Sequence, residues 1–134
     1  MTTKILLIDD DEDELWIFTE ALKEIDDSID CLSAISAEQG LKLLHQSLPD
    51  FIFLDMNMPV LNGFQLLEVI KRDNRLKEIP VIMYSTGITE TFATAAMSKG
   101  AFGCIKKENT IDDLAIKLKR FVSGKQSVQI VSPE

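Results

Sequence analysis

Residues 4–11 read KILLIDDD, a short apolar run that ends in three consecutive aspartates. A second run of the same kind, FIFLD, spans residues 51–55 and also ends in an aspartate. Almost continuous apolar runs of this length are typical of central strands in a parallel sheet, because helices cover both faces of such a sheet. Both runs therefore predict buried strands whose carboxyl ends carry acids.

Along the rest of the chain, short apolar runs alternate with amphipathic segments. The predicted strands are Ile5–Ile8, Ile29–Leu32, Phe51–Leu54, Pro80–Tyr84 and Phe102–Ile105. Apolar residues at helical spacing predict helices over Leu15–Ile25, Ala37–Leu48, Phe64–Ile70, Glu90–Lys99 and Ile111–Phe121. This (βα)5 alternation predicts an α/β, doubly wound parallel sheet with right-handed crossovers, for which the flavodoxin-like strand order 2-1-3-4-5 is a common solution.

Length, composition and charge narrow the class of protein. The chain has 134 residues, of which 46% are hydrophobic, which is enough for one compact domain. We expect this domain over residues 1–122 and a polar C-terminal tail, too short for an output domain, over residues 123–134. The formal charge of -8 disfavours nucleic acid and anionic membranes as partners. Because Cys31 and Cys104 are isolated, we expect buried, reduced thiols. The apolar runs are too short for a signal peptide or a membrane span, so we expect a cytoplasmic location.

The polar residues that follow the predicted strands are expected to meet at one edge of the sheet. In open α/β sheets, ligands bind beyond the carboxyl ends of the strands where the strand order reverses, here between the first and third strands. Asp9, Asp10 and Asp55 follow those two strands. Clustered carboxylates require a counter-charge, and a set of oxygen ligands suits Mg²⁺. Ser85 and Lys107 follow the fourth and fifth strands, so a hydroxyl and an ammonium should face the acids.

Each of these residues also has an ordinary structural explanation. Acids in the range Asp9–Glu14 stabilise a helix N-terminus, and Asp55 suits a turn. Ser85 suits a helix N-cap, and Lys107 suits an exposed surface. Agreement among four strand ends favours a site over these separate explanations. The acidic first loop also speaks against a tightly bound phosphate cofactor without metal.

The sequence resembles the receiver domain of bacterial two-component response regulators, from about Lys4 to Val122. Four motifs carry the resemblance: ILLIDDD at 5–11, PDFIFLDMNMP at 49–59 with Gly63, IPVIMYS at 79–85, and the segment from Gly100 to Lys107. Within the family, the chain looks similar to single-domain regulators of the chemotaxis or phytochrome type.

The resemblance implies a role for each residue of the expected site. Asp55 would be the phosphoacceptor and, with Asp10, a direct Mg²⁺ ligand, while Asp9 would bind the ion through water and Asn57 through its backbone carbonyl. Ser85 and Lys107 would bind phosphoryl oxygens. Gly63 would shape the loop after the acceptor by adopting a backbone conformation that other residues resist.

The resemblance also implies a function and partners. A sensor histidine kinase or phosphotransfer protein would phosphorylate Asp55, and the added charge would draw Ser85 and Lys107 inward and change the surface offered to a downstream protein. The acyl phosphate is labile, so the signal would be transient. Such a domain, a monomer or weak homodimer, assists only its own phosphorylation and dephosphorylation and is otherwise not an enzyme.

Two alternative functions stay open at this point. One is an interaction module of receiver type that works without phosphorylation. The other is a phosphohydrolase with an aspartate nucleophile, which normally needs a second acid two residues later, where Asn57 stands.

Three positions depart from the family pattern. Glu108 follows the lysine where the family usually has proline, often after a cis peptide bond, and a cis bond before glutamate would be costly. Cys104 occupies the place of an aromatic residue whose rotation reports phosphorylation, and Thr86 replaces a small apolar residue. We therefore expect the usual switch between hydroxyl and aromatic side chain to be absent or rebuilt.

Overall fold

The computed structural model describes residues 2–122, in which five strands alternate with five helices. The strands are β1 (Lys4–Ile8), β2 (Asp30–Ala34), β3 (Phe51–Asp55), β4 (Val81–Ser85) and β5 (Gly103–Lys106). The helices are α1 (Glu12–Ile25), α2 (Ala37–Gln46), α3 (Gly63–Arg72), α4 (Glu90–Ser98) and α5 (Ile111–Val122). Among these helices, none combines the length and the apolar character that a membrane span requires. The predicted tail, residues 123–134, lies outside the described residues.

All strand pairs are parallel, and the sheet order is β2-β1-β3-β4-β5, which confirms the predicted topology. The register aligns the carboxyl ends of the strands, since Ile8 pairs with Leu54 and Asp55 pairs with Tyr84. Ser85 pairs with Lys106 in the same way. The residues that end or follow β1, β3, β4 and β5 therefore share one edge of the sheet.

The core has two layers, one on each face of the sheet. Alternate residues of a strand point to opposite faces, so Leu6 and Ile8 belong to the layer under α2, α3 and α4, and Ile5 and Leu7 to the layer under α1 and α5. All four of these β1 residues are buried. Burial on both faces explains why β1 is apolar throughout, as predicted for a central strand.

Most element boundaries lie within a few residues of the predicted ones, and the differences at α2 and β2 have a clear physical reason. Helix α2 ends at Gln46, and Leu48, predicted on its buried face, is 47% exposed. The reason is Pro49, because the residue before a proline disfavours the helical conformation. Strand β2 starts one residue later and ends two residues later than predicted. It is an edge strand whose Leu32 and Ser33 are exposed, so its apolar signal is weak.

Candidate functional site

Three aspartates meet at the carboxyl edge of β1 and β3. One carboxylate oxygen each from Asp9, Asp10 and Asp55 lies within 4.8 Å of the others. Asp9 and Asp55 are buried, whereas Asp10 is exposed and leaves the cluster open to solvent. This donor set consists of oxygens at short mutual distances, which fits a hard divalent cation such as Mg²⁺ that keeps some of its water ligands.

The neighbouring acids have a separate, structural role. Asp11 caps α1, because its side chain accepts a hydrogen bond of 2.9 Å from the backbone N–H of Asp13. Acids in the first helical turn are favoured by the helix dipole. The acidic run thus divides into Asp9 and Asp10, which belong to the cluster, and Asp11 onward, which stabilise the helix.

Lys107 supplies a counter-charge to the cluster. Its Nζ lies 2.9 Å from Asp9 Oδ2 and 3.2 Å from Asp55 Oδ1, and its side chain is 8% exposed. The explanation of Lys107 as an exposed surface residue is therefore wrong. Burial disfavours the charged amine, but the hydrogen bond with Asp9 and the charges of Asp9 and Asp55 outweigh it and raise the pKa of Lys107. The amine stays an ammonium between two acids.

One lysine does not compensate the whole cluster. Burial is the largest cause that raises the pKa of both Asp9 and Asp55, and the charge of Asp9 raises that of Asp55 further. Lys107 and backbone N–H groups act in the opposite direction; Asp11 donates to Asp9 Oδ1 at 2.9 Å, and Asn57 donates to Asp55. The pKa values remain raised, so a bound divalent cation would relieve a real electrostatic cost.

Gly63 is required by close packing and not by its backbone conformation, so the predicted reason for this glycine was wrong. The residue with positive φ in this loop is Val60, at 69°. A Cβ on Gly63 would lie 2.5 Å from the carbonyl oxygen of Asp55 and 2.8 Å from Met56 Cα. The start of α3 therefore packs directly on the backbone of the predicted phosphoacceptor.

Ser85 ends β4, and its side chain is not yet engaged with the acids. It is 4% exposed, and its hydroxyl donates to the carbonyl oxygen of Gly87 at 3.3 Å. It does not cap α4, because Thr89 accepts the capping hydrogen bond from the N–H of Phe92 at 3.0 Å. Lys107 is tied to the same strand end, since its N–H donates to the Ser85 carbonyl at 2.8 Å.

The residues that depart from the family pattern have defined surroundings. No peptide bond among residues 2–122 is cis, so the bond between Lys107 and Glu108 is trans. The Glu108 carboxylate lies 2.6 Å from Lys117 Nζ on α5. Cys104 is fully buried on β5, as predicted, and burial raises the pKa of its thiol to about 11, whereas Cys31 is only partly buried.

Sequence reasoning missed Tyr84, which it treated as one more apolar strand residue. The side chain is fully buried, and its hydroxyl donates to Glu14 Oε1 at 3.2 Å. Burial and the nearby acids raise the pKa of Tyr84 far above its usual value, so the hydroxyl keeps its proton. Lys107 Nζ lies 5.2 Å from the centre of its ring. Its position directly before Ser85, in an otherwise apolar run, could have marked Tyr84 as a candidate site residue.

The fold and this edge together define a class: doubly wound domains that carry an acidic pocket with an opposed lysine at the carboxyl end of a parallel sheet. Comparison with known families names it, since the family described as response regulator receiver domain matches residues 5–119. The chain belongs to this family.

Individual relatives agree with this assignment. The chain is 33% identical over 121 residues to protein PilH of Pseudomonas aeruginosa, covering 90% of this chain and 98% of PilH. The phosphorylated cyanobacterial phytochrome response regulator RcpA superposes with a TM-score of 0.83 at 25% identity, covering 95% of this chain and 98% of RcpA. The Mn²⁺-bound form of the response regulator Rcp1 superposes with a TM-score of 0.80 at 21% identity, covering 94% and 98%.

Membership of this family makes the chain a receiver domain of two-component signalling, which is a signalling domain and not a classical enzyme. The structure adds an acidic cluster of Asp9, Asp10 and Asp55 at the position where the fold places ligands.

Proposed function

We propose that Asp55 is the phosphoacceptor of this domain and that its phosphorylation requires Mg²⁺. The observation that carries the proposal is the position of the Asp55 carboxylate, which lies beside two other acids and 3.2 Å from the ammonium of Lys107. Asp10 and Asp55 would bind the ion directly, Asp9 through water and Asn57 through its backbone carbonyl. When bound, the ion neutralises charge on the transferring phosphoryl group.

The protein groups have complementary tasks in this reaction. A carboxylate oxygen of Asp55 attacks the phosphorus of a phosphohistidine, the bond between phosphorus and the imidazole nitrogen breaks, and that nitrogen keeps the electron pair and takes up a proton. Lys107 neutralises an equatorial oxygen, and the Ser85 hydroxyl exchanges its bond to Gly87 for one to the phosphoryl group. Water later attacks the phosphorus and releases phosphate, which regenerates Asp55.

In the cytoplasm, the phosphoryl donor would be a sensor histidine kinase or a phosphotransfer protein, and the phosphorylated domain would signal by binding a downstream protein. The phosphoryl group adds negative charge beside Ser85 and Lys107, so the ends of β4 and β5 are where the binding surface would change. We assign this activity to a domain over residues 1–122, with residues 123–134 as a tail, acting as a monomer or weak homodimer.

Chemical phosphorylation tests the proposal. The protein is incubated with Mg²⁺ and a small phosphodonor such as phosphoramidate, and the covalent phosphoryl group is detected by intact mass and by its lability to hydroxylamine. We expect one group per chain, loss of labelling with EDTA, and loss in Asp55→Asn. Asp27→Asn, an exposed aspartate in the turn after α1, is the matched control and should label normally. An unlabelled wild type, or labelling that persists in Asp55→Asn, contradicts the proposal.

A further inference from the structure

Tyr84 is a polar-tipped residue in a core layer that otherwise consists of aliphatic, alanine and phenylalanine side chains. Its ring packs edge to face on Phe18, with centroids 5.4 Å apart, and its hydroxyl reaches Glu14 in the first turn of α1. Buried tyrosine hydroxyls normally find such a partner. The hydrogen bond and the edge contact together fix the plane of the ring.

The face of this ring lies against the amine of the proposed site. Lys107 Nζ is 5.2 Å from the ring centre, while the same nitrogen is 2.9 Å from Asp9 and 3.2 Å from Asp55. A cation is attracted to the face of an aromatic ring within about 6 Å, and the attraction is stronger where water is excluded.

The two kinds of contact respond differently when a cation binds to the acids. A divalent ion held by Asp9 and Asp55 would weaken their attraction for Lys107 and repel the ammonium directly. The neutral ring of Tyr84 would not be a ligand of that ion, so its contact with Lys107 would persist. The ring could thus hold the amine at the edge of the sheet in the metal-bound state, in which the proposed phosphoryl transfer would take place.

We propose that Tyr84, oriented by Glu14, is a positioning residue that keeps the Lys107 ammonium beside Asp55 during phosphoryl transfer. This inference rests on the proposed function of Asp55, because it concerns the rate of that reaction. Glu14 acts on the ring and not on the phosphoryl group. A purely structural role for Tyr84 predicts a different outcome, in which its loss alters stability alone.

Three variants separate the ring from the hydroxyl. Tyr84→Leu removes both, Tyr84→Phe keeps the ring, and Glu14→Ala removes the hydroxyl's partner. The control is Phe121→Leu, which removes another buried aromatic ring of the same core layer, on α5. The rate of Asp55 labelling is measured at saturating Mg²⁺ and phosphodonor, under conditions where each variant is folded by circular dichroism.

We expect Tyr84→Leu to lower the saturated labelling rate about tenfold, a factor between those of exposed and fully desolvated cation–π contacts. Tyr84→Phe should rescue most of that loss and stay within about threefold of wild type, and Glu14→Ala should slow labelling by roughly the same small factor. Phe121→Leu should label at the wild-type rate. Wild-type labelling by folded Tyr84→Leu, or equal slowing by Phe121→Leu, overturns the proposal; an unchanged rate in Glu14→Ala overturns its part for Glu14.

A spectroscopic measurement is independent of phosphorylation. The side-chain amine signals of Lys107, assigned by comparison with Lys107→Met, should show the upfield shift that an aromatic face produces, and Tyr84→Leu should abolish it while Tyr84→Phe retains it. If the shift is present but wild type takes no phosphoryl group, the function proposed for Asp55 fails and the ring contact stands. If wild type labels but the shift is absent, the positioning role of Tyr84 fails alone.

Discussion

The edge of the sheet has two halves that solve different problems. The acidic half consists of Asp9, Asp10 and Asp55 at the ends of β1 and β3, and the basic half consists of Ser85 and Lys107 at the ends of β4 and β5. In the acidic half, burial raises the pKa of Asp9 and Asp55, so the folded protein pays an electrostatic cost there. In the basic half, Lys107 is stabilised as a cation by those same acids.

The halves also differ in how closely they follow the family pattern. Asp9, Asp10 and Asp55 match the pattern, as do Ser85 and Lys107, but three residues near the basic half, Cys104, Glu108 and Thr86, depart from it. In this chain the residues of the site keep the family pattern, and the departures are confined to the side chains around the basic half. Here the ring of Tyr84 lies 5.2 Å from the Lys107 amine, and the neighbouring Glu108 pairs with Lys117 on α5.

The largest effect on stability is expected when the positive charge of Lys107 is removed. Lys107→Met leaves two buried carboxylates without their ammonium, and breaking a buried ion pair in this way costs about 3 kcal/mol. Unfolding in urea with EDTA measures the loss, and added Mg²⁺ should restore part of it. Lys119→Met, at an exposed position on α5, is the control. Unchanged stability of Lys107→Met without metal would contradict the view that Lys107 compensates the acids.

The second effect concerns the packing of Gly63 against the backbone of Asp55. Gly63→Ala would push a methyl group against the Asp55 carbonyl and Met56 Cα, and overpacking of this kind costs about 2 kcal/mol. Because the strain falls on the peptide of Asp55, the proposed phosphoacceptor, labelling of Asp55 should slow as well. Gly87→Ala is the matched control, since a Cβ there meets no atom within 4 Å. Equal stability of the two variants would show that the loop can move to accommodate the added methyl group.

The sequence predicted the acidic half better than the basic half, for a physical reason. Asp9 and Asp10 follow β1 and Asp55 ends β3, and both strands are buried on both faces, so periodicity alone places these acids at one edge. The contact of Tyr84 with Lys107 joins β4 to the loop after β5, and its hydroxyl joins β4 to α1. Such contacts depend on side-chain directions in three dimensions, which strand and helix periods do not specify.

The same limit explains the errors over Gly63 and β2. A glycine in a loop predicts an unusual backbone angle, but Gly63 is needed because α3 starts against the backbone of Asp55. The residues around Gly63 in the sequence do not indicate this close packing. Strand β2 lies at the sheet edge with three of its five residues exposed, so its ends carried too few apolar residues to be located.

The third prediction is a gain in folding stability, whereas the first is a loss. Asp55→Asn removes one of the crowded charges, and we expect the metal-free fold to become more stable at neutral pH, because burial and the charge of Asp9 raise the pKa of Asp55. Asp10→Asn, at an exposed position, should change stability less. Denaturant unfolding at pH 7 with EDTA provides the measurement. If Asp55→Asn is instead less stable than wild type, the attraction between Asp55 and Lys107 outweighs the repulsion between Asp55 and Asp9.

The pH dependence of stability sharpens this prediction. Because folding raises the pKa values of Asp9 and Asp55, the folded state holds their protons more tightly than the unfolded chain does. Their contribution to stability is fully present below pH 3.8, the ordinary aspartate value, and is lost as pH rises through the raised values of the folded state. Asp55→Asn should reduce this loss, and so should Mg²⁺, which binds the ionised form.

The smallest effect concerns the contact that accompanies Glu108 in the basic half. The pair of Glu108 and Lys117 is only 19% and 14% exposed, so it should contribute more than a surface pair, about 1 kcal/mol. Glu108→Ala measures it, and Glu38→Ala, which breaks a pair that is 82% and 72% exposed, should cost close to nothing. If the pair also fixes the loop after β5, Glu108→Ala will slow labelling of Asp55, because Lys107 is the adjacent residue. A stability loss without slower labelling would leave Tyr84 as the group that positions the amine.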